Sequence, residues 1–243
     1  GPYRAWYASG YKHVFGNFRA GHKDGVWREW FDDGSAKSQG AYRKSKQHGE
    51  FKEWYPNGQL QRLTRFREGE RHGPFTAWHE DGTLAEQGAY ARGQEHGTYK
   101  SWHANGKPAR AGEYSTGRQQ GEWLEWHDNS VKKSLGAYVD GKEHGEFATW
   151  FADGKDAWRG RFAMGMRQGE FRTWHPGGTL ESKGNWSQDK RTGAHLSWYD
   201  NGGKAKEAHY ADDKLHGVYQ EWHSDGAAKY KTEMAAGERH GIH

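Results

Sequence analysis

Glycine recurs every 24 residues without one insertion, at Gly1, Gly25, Gly49, Gly73, Gly97, Gly121, Gly145, Gly169, Gly193, Gly217 and Gly241. Tryptophan keeps the same beat five residues later, at Trp6, Trp30, Trp54, Trp78, Trp102, Trp126, Trp150, Trp174, Trp198 and Trp222. Such a strict period leaves few folds open, because every repeat must be a local element that buries its apolar side chains against the next copy. The chain therefore reads as a single repeat domain over 1–243, with repeats at 1–24, 25–48, 49–72, 73–96, 97–120, 121–144, 145–168, 169–192, 193–216 and 217–240. A third column follows each Trp by four residues and is glycine except at Ser130. A fourth is aromatic, with Phe18, Tyr42, Phe66, Tyr90, Tyr114, Tyr138, Phe162, Trp186 and Tyr210, giving way to Met234.

The repeat beginning at Gly49 reads GEFKEWYPNGQLQRLTRFREGERH. Two short aromatic-rich runs flank Asn57-Gly58, and other repeats carry Asp33-Gly34, Asp81-Gly82, Asp153-Gly154 or Asp225-Gly226 in the same place. Asn-Gly or Asp-Gly between two such runs predicts a β-hairpin with a two-residue type I′ turn, since both residues tolerate positive φ. A polar stretch such as Glu68–His72 supplies the return turn. Helix is excluded by glycines every few residues and by the lack of any 3.6-residue apolar period. The expected fold is all-β, an elongated single-layer antiparallel meander of ten hairpins with a right-handed twist, roughly 95 Å by 20 Å.

A two-residue loop at Asp33-Gly34 sets Phe31 opposite Ala36 and Trp27 opposite Gly40, a ring over a residue with no side chain. Gly40 recurs as Gly16, Gly88, Gly112, Gly136, Gly160 and Gly184. Across the return turn the same register sets Tyr42 opposite Phe51. Trp30 and its equivalents then point to the other face. Composition agrees: 37 aromatic residues stand against eight Leu, five Val, one Ile and three Met, too few for a doubly wound or helical core. The columns Gly25, Gly49, Gly73, Gly97, Gly121, Gly145, Gly169, Gly193 and Gly217, with Tyr42, Phe66, Tyr90, Tyr114 and Tyr138, are thus assigned to structure.

The unit G-x-[FWY]-x-E-W-[YFH]-x-[DN]-G, followed by a glycine-spaced aromatic and a closing His-Gly, resembles the MORN repeat over the whole chain. It looks closest to the variant in bacterial proteins, including those labelled YwqK-type antitoxins. It departs from the eukaryotic form, whose unit is a residue shorter and opens Tyr-x-Gly-x-Trp. The resemblance implies a non-catalytic scaffold or binding module, probed first for protein–protein recognition of an antitoxin or immunity kind. The alternative is an anionic phospholipid membrane or cell-wall polymer.

The candidate binding surface is the outer Trp row, Trp30, Trp54, Trp78, Trp102, Trp126, Trp150, Trp174, Trp198 and Trp222, with Arg28, Lys52, Lys100 and Arg172 beside it. Rings about 10 Å apart on a charged face could grip an extended partner. The bland reading is that Lys and Arg stems cover them. A net charge of +4 argues against nucleic acid as partner. Eleven of the sixteen His fall in two columns, His48, His72, His96, His144, His216 and His240, and His79, His103, His127, His175 and His223. Ligands must converge within about 2 Å of one ion, and strands apart they do not, so the two columns read as turn residues and as substitutes for Tyr or Phe. No triad motif and no convergent pocket point to catalysis, no cofactor is implied, and no cysteine is present.

Departures from the repeat, Asp156-Ala157-Trp158, Met164-Gly165-Met166 and Trp186, Asp189, Thr192 and His195, read first as drift and second as a local site. No apolar run is long enough for a membrane helix, and the compartment, cytoplasmic or exported, stays open. Gly1-Pro2 without an initiator Met suggests a processed or tag-cleaved chain. Open sheet ends suggest self-association.

Overall fold

A computed structural model describes residues 1–239; His240 and Gly241, which continue two of the columns, lie outside the described residues. The described residues form β-strands and turns with no helix. Two compact units, Gly1–Arg118 and Gln119–His243, each contain an antiparallel meander in which consecutive strands pair. The ten expected hairpins are present. Three outgoing strands are split, as in Gln94–Glu95 and Gly97–Trp102, and Glu238–Arg239 starts a further strand.

The two kinds of turn are exchanged relative to the sequence expectation. At Asp33-Gly34 only glycine takes positive φ, at 86°. The Gly34 N–H donates to the Phe31 carbonyl at 3.0 Å and the Phe31 N–H to the Ser35 carbonyl at 2.9 Å, which makes a three-residue loop. Asp33 accepts the Ser35 N–H on Oδ1 at 2.8 Å, the side-chain-to-backbone bond that suits Asp and Asn to turns. Asn57 does the same for Gln59 and Asp81 for Thr83. The type I′ turn, with both residues at positive φ, is instead the return turn: Glu68 and Gly69 lie at 52° and 91°, Lys44 and Ser45 at 49° and 65°. Its twist matches that of the flanking strands.

The extra loop residue is absorbed by a bulge, because Glu29 faces Ser38 while Trp30 faces Ala36. Trp27 does face Gly40 in register, but the ring over Gly40 is that of Phe51, and Trp27 lies over Gly16. Phe31 does not face Ala36, and Tyr42 does not face Phe51; Tyr42 lies opposite Gly25 and Gln47, and Phe51 opposite Gly40 and Thr64. The cause of the second shift is the main glycine column. Between the pairs Thr64–Phe75 and Phe66–Arg71, the three residues His72, Gly73 and Pro74 oppose Arg65 alone. Gly73 there has φ 82°, and its equivalents from Gly25 to Gly217 are all positive. At Gly145, with φ 89°, an added Cβ would meet nothing within 4 Å, so conformation alone excludes a side chain. Gly145→Ala should therefore cost about 1–2 kcal/mol in denaturant unfolding, and Gly145→Asn less, since Asn enters the left-handed region more readily.

The aromatic ladder lies on the face of the second glycine column. A Cβ built on Gly16 would fall less than 3.0 Å from the Trp27 ring, on Gly40 from Phe51, on Gly136 from Phe147 and on Gly160 from Phe171. Fourth-column rings close the gaps edge-on, with centroids 5.4 Å apart for Tyr42–Phe51, 5.0 Å for Phe51–Phe66 and 5.2 Å for Phe147–Phe162. Each such pair adds about 0.5–1.5 kcal/mol beyond the area it buries. Trp27, Phe75, Tyr90, Trp123 and Phe147 are buried here.

Where the second column has a side chain, the ring goes elsewhere. Thr64 is buried, and Phe75 leans over Gly88, whose Cβ would come 2.7 Å from its ring. At buried Ala208, the Tyr219 hydroxyl turns to Glu221 Oε1. That bond, reinforced by burial, pushes the phenol up to about 12.

Candidate binding surface

On the opposite face the Trp column is half-buried from Trp30 to Trp222, and only Trp6 is exposed. Cross-strand partners account for this. Trp54 faces Leu60, Trp78 faces Leu84, Trp102 faces Pro108 and Trp174 faces Leu180. Cations cover other rings: Lys12 Nζ is 5.6 Å from the Trp30 centroid, the Arg159 guanidinium 5.9 Å from Trp150, and Lys204 Nζ 4.8 Å from Trp222. Apolar partners thus cover some of these rings and cation stems others, which leaves the column half-buried. The sparse leucines carry the signal that the sequence reading missed, since Leu60, Leu84 and Leu180 all sit six residues after a Trp.

The cations named beside the Trp row have different neighbours. Arg28 Nε donates to Gln39 Oε1 at 2.9 Å, and Arg172 Nε to Glu170 Oε1 at 2.5 Å. Lys52 faces Gln39 and Leu63, and Lys100 faces Gln87 and Ala111. Acids on this face are matched by bases, Arg65 with Glu50 at 2.9 Å and Arg161 with Glu146 at 4.0 Å. In the cross-strand row Arg159, Arg172 and Lys183, the two arginines are paired with Asp156 and Glu170.

The histidine columns have separate roles. His48, His72, His96, His144 and His216 precede the bulge glycine and face solvent. The second column joins repeats. His79 Nε2 bonds the Trp102 carbonyl at 3.0 Å, His127 Nε2 that of Trp150 at 2.9 Å and His175 Nε2 that of Trp198 at 2.9 Å. Tyr7, Tyr55 and Tyr199 make the same bond through their hydroxyls to Trp30, Trp78 and Trp222. Tyr and His interchange because each puts a donor at the tip of a flat ring, and the bonded His nitrogen is the one that carries the proton. His79→Ala should destabilise by about 0.5–1.5 kcal/mol and His79→Tyr by much less, measured by chemical unfolding. Among the described residues, no three His, Asp or Glu side chains are grouped to hold a metal ion, and no helix is long and apolar enough to cross a membrane.

This geometry, with its hairpin, bulge glycine and outer Trp repeating in phase, can be set against known families. The model of the MORN repeat variant matches residues 47–68, 71–91, 95–115 and 167–188, each match opening two residues before a bulge glycine. These repeats are MORN repeat variants. MORN repeats are in general protein- or membrane-binding modules and are generally non-catalytic. No curated protein matches the chain. Matching solved structures include one titled "Crystal Structure of TcdB2-TccC3-Cdc42", at 10% identity and a TM-score of 0.20, covering 96% of this chain and 16% of that one. Another, "Crystal Structure of TcdB2-TccC3-TEV", has 10% identity, a TM-score of 0.21 and coverages of 96% and 15%. The chain spans a small part of the length of these structures.

His195 breaks the ring column of the repeats. Its Nε2 bonds the Asn185 carbonyl at 2.9 Å, as Trp27 Nε1 bonds the equivalent Asn17 carbonyl at 3.2 Å. Burial pushes the imidazole below its ordinary range, outweighing the hydrogen bond that raises it. The folded state thus binds a proton less readily than the unfolded chain. Stability is full above about pH 6.5 and falls as pH drops through the depressed folded value. His195→Phe should flatten that acid-side decline, read from unfolding midpoints between about pH 7 and pH 5.

Proposed function

We propose that the chain is a non-catalytic scaffold that binds a protein partner along its outer Trp row, with an antitoxin- or immunity-like pairing as one form of that role. The observation that carries this reading is the charge pattern of the face. Its ring edges repeat once per hairpin, while Arg65, Arg161 and Arg172 are matched by Glu50, Glu146 and Glu170. Matched charges leave a weak net field, which suits a surface read by shape and ring contacts more than an anionic membrane or polymer.

Capture of a candidate partner at two salt concentrations, beside sedimentation with phosphatidylserine vesicles, tests the reading. A stoichiometric protein complex that survives moderate salt is the expected result. Vesicle binding that collapses with salt, with no protein complex, would establish the anionic-surface alternative instead.

A further inference from the structure

The ring face has a hollow where the repeat departs most from its pattern. Thr173, Ser182, Ser197 and Lys206 face one another in sequence across four strands. In other repeats the same two columns hold long side chains, such as Glu53 with Arg62 or Trp158, or isolated short ones such as Ala77. Three short hydroxyl side chains in a row leave a depression of about 310 Å³. Its apolar walls are Phe171, Trp186, His195 and Tyr210, and no carboxylate lines it.

The polar groups around it are cations and hydroxyls. Arg167 lies 3.4 Å above the Trp186 centroid and Arg191 4.1 Å above Tyr210. Both guanidinium groups are fixed by return-turn carboxylates, Asp189 and Asp213, at 3.0 Å, so the two rings they cover are held in place. Lys206 differs: its Nζ lies 4.8 Å from the Tyr219 centroid, and the carboxylate opposite it, Glu221, is engaged by Lys229 at 3.2 Å and by the Tyr219 hydroxyl. The Thr173 and Ser182 hydroxyls are 2.7 Å apart, and one proton of that pair remains to be donated outward.

We infer that this hollow binds a small organic anion, a phosphate or carboxylate carried on a flat apolar ring, with the acid group between Lys206 and the hydroxyl row and the ring against Trp186 and Tyr210. Lys206 provides a half-buried point charge, and the hydroxyls give hydrogen bonds that an anion accepts. The aromatic walls reward a ring and leave a bare inorganic anion with half of the contacts.

Phenyl phosphate is the probe, titrated into the full chain by calorimetry, with inorganic phosphate and phenol as controls. Saturable one-to-one binding of phenyl phosphate is expected, with each control at least about tenfold weaker, equivalent to about 1.4 kcal/mol. Lys206→Met, which keeps the stem, should weaken phenyl phosphate about tenfold while unfolding midpoints stay near wild type. Ser197→Leu fills the floor at a column where Ala77 already stands, and should abolish binding. Absence of saturable binding overturns the assignment. So does equal binding of inorganic phosphate, or undiminished binding by the two variants.

Discussion

Trp27→Ala is expected to cost about 3–5 kcal/mol, the range for removing a large buried aromatic side chain. Only 4% of Trp27 is exposed. Its ring covers Gly16, meets Phe18 at 5.0 Å and Tyr42 at 6.2 Å, and carries the Lys23 ammonium at 4.2 Å. Truncation also strands the Asn17 carbonyl that accepts from Nε1. Because each repeat touches only its neighbours, the loss should concentrate near the first three repeats. Amide hydrogen exchange should show protection falling there, with later repeats little changed.

Gly136→Val should cost about 1–3 kcal/mol by the opposite route, overpacking. The new Cβ would lie less than 3.0 Å from the Phe147 ring. The molecule already shows how a ring escapes such a clash, since Phe75 leans from Thr64 to Gly88. Phe147 lacks that exit: its partner within the hairpin is Gly160, and Phe171 already covers it. The expected signature in chemical unfolding is a lowered midpoint with an unchanged slope, and Gly88→Val should be milder because the Phe75 and Tyr99 contacts there are looser, at 2.7 Å and 3.5 Å.

Period, hairpins and ring-over-glycine packing were legible because a one-residue repeat column reports directly on a side chain that cannot exist. Turn type was not. Asp33-Gly34 fits a type I′ turn and a three-residue loop equally well in sequence, and only the bulge opposite Trp30 decides between them. Return turns were harder still, since Lys44-Ser45, Gln188-Asp189 and Asp212-Asp213 hold positive φ without glycine. Their second residue compensates: Ser45 Oγ accepts the Lys23 N–H at 3.0 Å, and Asp189 Oδ1 that of Arg167 at 2.9 Å. A Ser or Asp in a glycine column was the available signal.

The site was legible in part. The outer Trp row and its flanking cations could be named from spacing, but their half-burial depends on partners such as Leu60 and Leu84 that the wrong loop length displaced by one residue. The second His column could be separated from metal binding by distance alone. Its bond to a carbonyl 23 residues ahead could not be seen, because it joins adjacent hairpin ends and follows no strand register. The hollow over Thr173, Ser182 and Ser197 was hidden for a related reason: three short side chains become a cavity only when pairing sets them side by side.

The claim that rings resting on glycines stand in for a core is tested most directly by a double-mutant cycle on Gly136 and Phe147, read by chemical unfolding. With Phe147→Ala in place, Gly136→Val should lose most of its cost, giving a coupling of at least about 1 kcal/mol. Additivity of the two changes within about 0.3–0.5 kcal/mol would contradict the account.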